Sequence, residues 1–160
     1  MTNSIIIFIH LMAAAIAIGS MVFAVILLLP SMEKLPKQNG LEEYSTHYKS
    51  MELLAPTVFT CLLALIGTGV YFLLENYTAQ VELKPGYYDL FGIKLVCVGA
   101  AFFLSIYQTF NLRTRIANLD LSPENRKLVA EIIQRMKTVT QFTLTAFLLA
   151  VFFGIWLAKF

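Results

Sequence analysis

The sequence predicts an all-α integral membrane protein, an antiparallel bundle of four transmembrane helices forming a single domain over residues 1–160. Three observations lead there. The chain is 58% hydrophobic and 14% charged, with a mean hydropathy of +0.72, whereas soluble domains lie nearer ~45–50% apolar and ~25% charged. Its apolar residues gather into four runs of about 20–25 residues, each enough to cross a ~30 Å hydrocarbon layer as a helix. Its lysines and arginines are concentrated in alternate connections, as expected of a chain that crosses the bilayer repeatedly.

The runs are Ile5–Leu29, Leu53–Leu74, Leu90–Phe110 and Val139–Ala158. The first is not preceded by Lys or Arg and is far longer than a ~7–15 residue signal-peptide core, so it is expected to be retained. The connection after it carries Lys34, Lys37 and Lys49. The third connection carries Arg113, Arg115, Arg126, Lys127, Arg135 and Lys137, whereas Glu75 to Asp89 holds only Lys84. The positive-inside rule then places the first and third connections in the cytoplasm and both termini outside. Tyr71, Tyr77, Tyr87, Tyr88 and Trp156 fall near the outer boundary, where amphipathic rings settle. Net charge of +2 is too mild for a nucleic-acid partner; the partner read from composition is the lipid bilayer.

Two helices are expected to start before the membrane. Leu41, Tyr44, Tyr48, Met51 and Ala55 recur at helical spacing ahead of the second span. Ser122, Pro123 and Glu124 form a helix start ahead of the fourth, and Val129, Ile132, Met136 and Val139 continue one apolar face. Short connections favour up-down-up-down topology, whose core is where bundles house cofactors.

Within these spans the ionisable residues are few. His10 lies about five residues inside the outer end of the first run, and an imidazole at such a depth is costly and usually functional. Lys94 lies about four residues inside the outer end of the third, which runs in the same direction. Both therefore sit ~6–8 Å below the outer boundary and are placed to share a site. The competing readings are a histidine satisfied by a neighbouring hydroxyl or carbonyl, and a lysine that snorkels to the interface. Ala13, Ala14, Ala17, Met21 and Ala24 stack on the His10 face, leaving room for a flat ligand or for close helix packing. The second helix offers a strip of Thr57, Cys61, Ala64, Thr68 and Tyr71.

Remaining candidates read as structural. His47 lies on the cytoplasmic extension of the second helix and is expected to be a plain interfacial residue. Cys61 and Cys97 lie at different depths and are expected not to pair. Gln108 and Gln141 are expected to bond across the bundle with Thr138 or Thr145.

FIHLMAAAIAIGSMVFAVILLLP, with Gly19 nine residues after His10 and Pro30 at the helix end, resembles the first helix of CopD-like membrane proteins, a superfamily that includes the HemJ-type protoporphyrinogen oxidases. Pro56 in SMELLAPTVFTCLLALIGTGVYFLL and Lys94 in YYDLFGIKLVCV resemble that group's second and third helices, so the likeness covers about two thirds of the chain. It implies a heme b with His10 as axial iron ligand and Lys94 as second ligand or propionate partner, above Ala13, Ala14 and Ala17. It also implies an oxidoreductase of a bacterial inner membrane, acting on a porphyrinogen and passing electrons to an acceptor such as quinone, with a homo-oligomer left open. The chain lacks the Leu-Pro-Arg and the Asn-Glu-x-Pro of HemJ-type sequences. Two alternatives stay open beside it: a CopD-like copper transport or resistance protein without heme, and a non-catalytic membrane helper subunit. For copper, the sequence offers no CxxC, no Met-x-x-Met and no His-rich tract.

Overall fold

The computed structural model describes residues 2–34, 41–78, 86–112, 114 and 126–157, and among them every ordered element is helical. The first helix runs Thr2–Phe23, widens through a π-helical turn at Ala24–Leu28 and resumes as Leu29–Lys34. The second is Leu41–Thr78, with Pro56 inside it. The third is Tyr87–Ile106, continued by a second π-helical turn at Tyr107–Leu112. The fourth is Arg126–Leu157. Gly86 opens the third helix at φ 91°, a backbone conformation that costs glycine little, and its carbonyl accepts the Leu90 N–H.

Four segments are long and apolar enough to cross a membrane: Asn3–Met32, Lys49–Glu75, Tyr87–Leu112 and Glu131–Leu157. Each begins before its apolar run, most clearly in the fourth helix, where Ile132, Ile133 and Met136 are buried ahead of Val139. The expected early start of the second helix is likewise present. Ser122, Pro123 and Glu124 lie outside the described residues. Large apolar side chains point outward along all four helices, among them Leu53 (73% exposed), Val96 (72%) and Phe103 (71%). Water would not tolerate such a surface, whereas lipid is its natural solvent; this is an integral membrane protein.

The bundle is two hairpins laid side by side. The first and second helices pack along their lengths, as do the third and fourth. First–fourth and second–third contacts are fewer, and the diagonal pairs barely touch. One layer explains the arrangement. Ala17 and Ala101, on diagonal helices, are fully buried, and Leu62 and Phe147 from the other two join them in one cluster with Ala13, Met21, Val58 and Leu65. Small residues on one diagonal and large ones on the other let four helices share a tight centre.

Below that layer buried hydroxyl and amide groups bond across helices, one pair within the second hairpin and one between the two hairpins. Gln108 donates to the Thr140 hydroxyl at 2.9 Å, which donates in turn to the Met136 carbonyl. The cross-helix partner of Gln108 is thus Thr140; Thr138 and Thr145 bond to their own helix backbone and Gln141 is exposed. Thr109 donates to the Ala55 carbonyl at 3.2 Å, joining the third helix to the second beside Pro56. The π turn makes both possible, because Gln108 and Thr109 each face the interior and reach different neighbours. Thr109→Val is expected to lower stability by about 0.6–1.7 kcal/mol, the worth of interhelical hydrogen bonds in lipid, in equilibrium unfolding from mixed micelles.

Candidate functional site at the end that carries the termini

His10 is half-buried and its Nδ1 lies 2.6 Å from the Thr68 hydroxyl of the second helix. The Thr68 hydroxyl also lies 2.7 Å from the Ala64 carbonyl one turn back. A hydroxyl has one proton, and a carbonyl can only accept. If that proton pointed at His10, the short contact to Ala64 would set lone pair against lone pair. Both contacts are hydrogen bonds only when Thr68 donates to Ala64 and His10 Nδ1–H donates to Thr68. The imidazole is thereby held with its proton on Nδ1 and, when neutral, with the lone pair of Nε2 available. Phe72 packs edge-on to the ring at a centroid distance of 6.4 Å, restraining its tilt.

A polar link above His10 fixes the register of this hairpin. Asn3 donates to Glu75 at 2.6 Å, and the Tyr71 hydroxyl donates to Asn3 at 3.2 Å. Tyr71 in turn meets Phe72 edge to face. The first turn of the first helix is thus locked to the last turns of the second, which brings His10 level with Thr68.

Lys94 occupies the matching place in the other hairpin. Its side chain lies along Gly154 of the fourth helix, where a Cβ would come within 3.3 Å of Nζ and 3.6 Å of Cε. Glycine there provides the seat. Among the described residues the ammonium has no hydrogen-bond acceptor and no carboxylate partner, and it lies within electrostatic reach of His10. Gly154→Leu is expected to displace the ammonium and raise its labelling by a water-soluble amine reagent severalfold. Peptide mass spectrometry at Lys94 reads the change.

These groups sit where the bundle loosens. Above the layer of Ala13, Leu65 and Ala101, no described residue of the first three helices is fully buried, including all of 3–12, 66–75 and 87–100. Ala13 and Ala17 belong to the packed layer itself, and Ala14 packs against its edge. The expected alanine face therefore forms the floor of this region. The structure brings His10 and Lys94 to one level, on diagonal helices rather than neighbouring ones.

Thr68 and Gly154 are the neighbours that sequence reading did not pair with His10 and Lys94. Thr68 becomes countable only once the Asn3–Glu75 link is known, since it is seven residues from Glu75 as His10 is seven from Asn3; no such count points to Gly154. His47 lies within the second helix, at the far end of the bundle from His10, and its side chain lies outside the described residues. Cys61 and Cys97 are free thiols. No group of three or more His, Cys, Asp or Glu side chains among the described residues converges on a common metal position. No protein-family model, curated protein or solved structure matches the chain.

Proposed function

We propose that the protein is a heme b-binding membrane redox protein, with His10 as axial ligand of the iron and Lys94 as its cationic partner. The observation that carries this reading is the held imidazole. An axial histidine needs one nitrogen free and the other fixed by a hydrogen bond, and Thr68 fixes Nδ1 while leaving Nε2 available. The other requirements also fit. Lys94 brings an unpaired cation suited to a propionate, or an amine suited to the iron, and the side chains above Ala13, Ala14 and Ala17 are less buried than the layer beneath them. Heme b supplies reversible one-electron chemistry when bound, and this chain binds it, orients it and tunes its surroundings.

In this reading the end carrying the termini faces the outside of a bacterial inner membrane, because the basic connections lie at the other end. The substrate class is a porphyrinogen, as the likeness to HemJ-type oxidases implies, and the electron acceptor is a membrane quinone. The test is the visible spectrum of the detergent-purified protein, oxidised and dithionite-reduced. A Soret band with α and β bands on reduction is expected. A colourless protein that hemin cannot reconstitute overturns the proposal. Porphyrinogen oxidation by membranes containing the wild type, and its absence with His10→Ala, tests the oxidase step separately.

A further inference from the structure

The buried polar side chains among the described residues all belong to the third and fourth helices. Ser105, Gln108, Thr109, Thr140 and Thr143 are 2%, 9%, 6%, 2% and 1% exposed. In hydrocarbon such groups must find their partners inside the protein. Three hydroxyls do so by donating to a carbonyl: Thr109 to Ala55 at 3.2 Å, Thr140 to Met136 at 2.7 Å and Thr143 to Val139 at 2.8 Å. Gln108 is only half served. Because the Thr140 proton is committed to Met136, Thr140 can only accept, so it is the amide nitrogen of Gln108 that meets it. The amide oxygen is left over, and no donor among the described residues reaches it. The Ser105 hydroxyl has no partner at all among them, not even the carbonyl four residues back that serves Thr140 and Thr143.

The register of the hairpin brings these groups to one place. Gln108 meets Thr140, and fourteen residues further on Lys94 lies against Gly154, so the two helices keep one antiparallel register between those pairs. Three residues along it Ser105 is level with Thr143, and seven along it Ala101 is level with Phe147. Ala101 and Phe147 fill the upper rung as members of one core cluster. The Gln108 amide fills the lower one. Between them stand two short side chains with no hydrogen bond joining them.

The groups awaiting a partner are a hydroxyl that can donate, an amide oxygen that can only accept, and the oxygen of Thr143, whose own proton is engaged. An ion matches them poorly, because no charged side chain among the described residues is buried to offset it. Water matches them by count. It accepts from Ser105 and donates to Gln108 Oε1 and Thr143 Oγ, the three bonds usual for a buried water. We infer that Ser105, Gln108 and Thr143 hold one buried water molecule between the third and fourth helices. It supplies the link that this rung lacks. Ala101 and Phe147 separate it from His10 and Lys94, so it is independent of the heme reading.

A crystal structure of the unchanged protein grown from lipid is expected to show one water within hydrogen-bonding distance of Ser105 Oγ, Thr143 Oγ and Gln108 Oε1. A direct Ser105–Thr143 bond, or a rung without a water, overturns the site. Stability gives an independent sign. Removing an orphaned hydroxyl relieves the fold, whereas removing one of a bound water's partners weakens it. Ser105→Ala is therefore expected to lower the ratio of folded to unfolded protein roughly threefold in mixed micelles, the fold-change that an average interhelical hydrogen bond carries in lipid. A Ser105→Ala protein as stable as the parent, or more so, overturns the proposal.

Discussion

If the protein binds heme as proposed, His10→Ala is expected to eliminate the Soret band, whereas Thr68→Val is expected to keep it but weaken heme retention by roughly 10- to 100-fold, the usual cost of losing the partner that orients a metal-bound histidine. The contrast follows from the proton accounting at Thr68. Alanine at position 10 removes the donor atom itself, and no other described histidine side chain lies at this end of the bundle. Valine at position 68 matches threonine in shape and removes only the acceptor for Nδ1–H. The ring then loses its fixed tautomer and its fixed tilt, with Phe72 left as the remaining restraint. Hemin titration of both apoproteins, with far-UV circular dichroism to show unchanged helicity, makes the comparison. Full heme retention in His10→Ala assigns the ligand elsewhere. An undiminished affinity in Thr68→Val shows that the Thr68 contact is structural glue, of the kind found throughout membrane bundles.

The level shared by His10 and Lys94 was legible from residue counting because both helices run in the same direction from the same boundary. What counting did not supply was the pairing of each group across its own hairpin. Thr68 sits in an apolar helix where a threonine bonding to the carbonyl four residues back is the ordinary outcome, as it is at Thr57, Thr60, Thr138 and Thr145. Only the Asn3–Glu75 and Tyr71–Asn3 links, which set the antiparallel register, distinguish Thr68 from the rest. Gly154 is similarly silent in one dimension, since a glycine in a membrane helix is common and gains meaning only from Lys94 lying against it. The four spans were legible because their signal is length and apolarity, properties of the chain itself. The two π turns have no such signature, and they decide which side chains of Ala24–Leu29 and Tyr107–Leu112 face inward.

The His10 and Lys94 level and the buried polar side chains are separated by a close-packed apolar layer. Gln108, Thr109 and Thr140 lie below it, and the described helices above it are without full burial until Ala150 and Leu157 of the fourth.

The largest stability effect is expected in that separating layer, and its order reverses the one seen in soluble proteins. In a soluble core, Leu→Ala costs about 2–5 kcal/mol, a sum of lost transfer free energy and an unfilled cavity. Helices separated in a bilayer leave leucine in lipid tails as apolar as the core, so the transfer part vanishes and only the cavity part remains. At ~0.8 kcal/mol per methylene, removing that part takes off roughly 2 kcal/mol. Leu62→Ala, at a residue 1% exposed, is then expected to cost on the order of 1–2 kcal/mol. Overpacking carries no such discount, because steric conflict does not depend on the solvent. Ala101→Leu places three additional carbons at a position with 0% exposure, against the Ala17, Leu62 and Phe147 cluster, and is expected to cost about 3 kcal/mol by forcing the hairpins apart. Equilibrium unfolding of the two variants side by side in the same mixed micelles reads the order directly. A Leu62→Ala loss that clearly exceeds that of Ala101→Leu contradicts the close-packed layer, since the added leucine could be absorbed so cheaply only if Ala101 faced unfilled space.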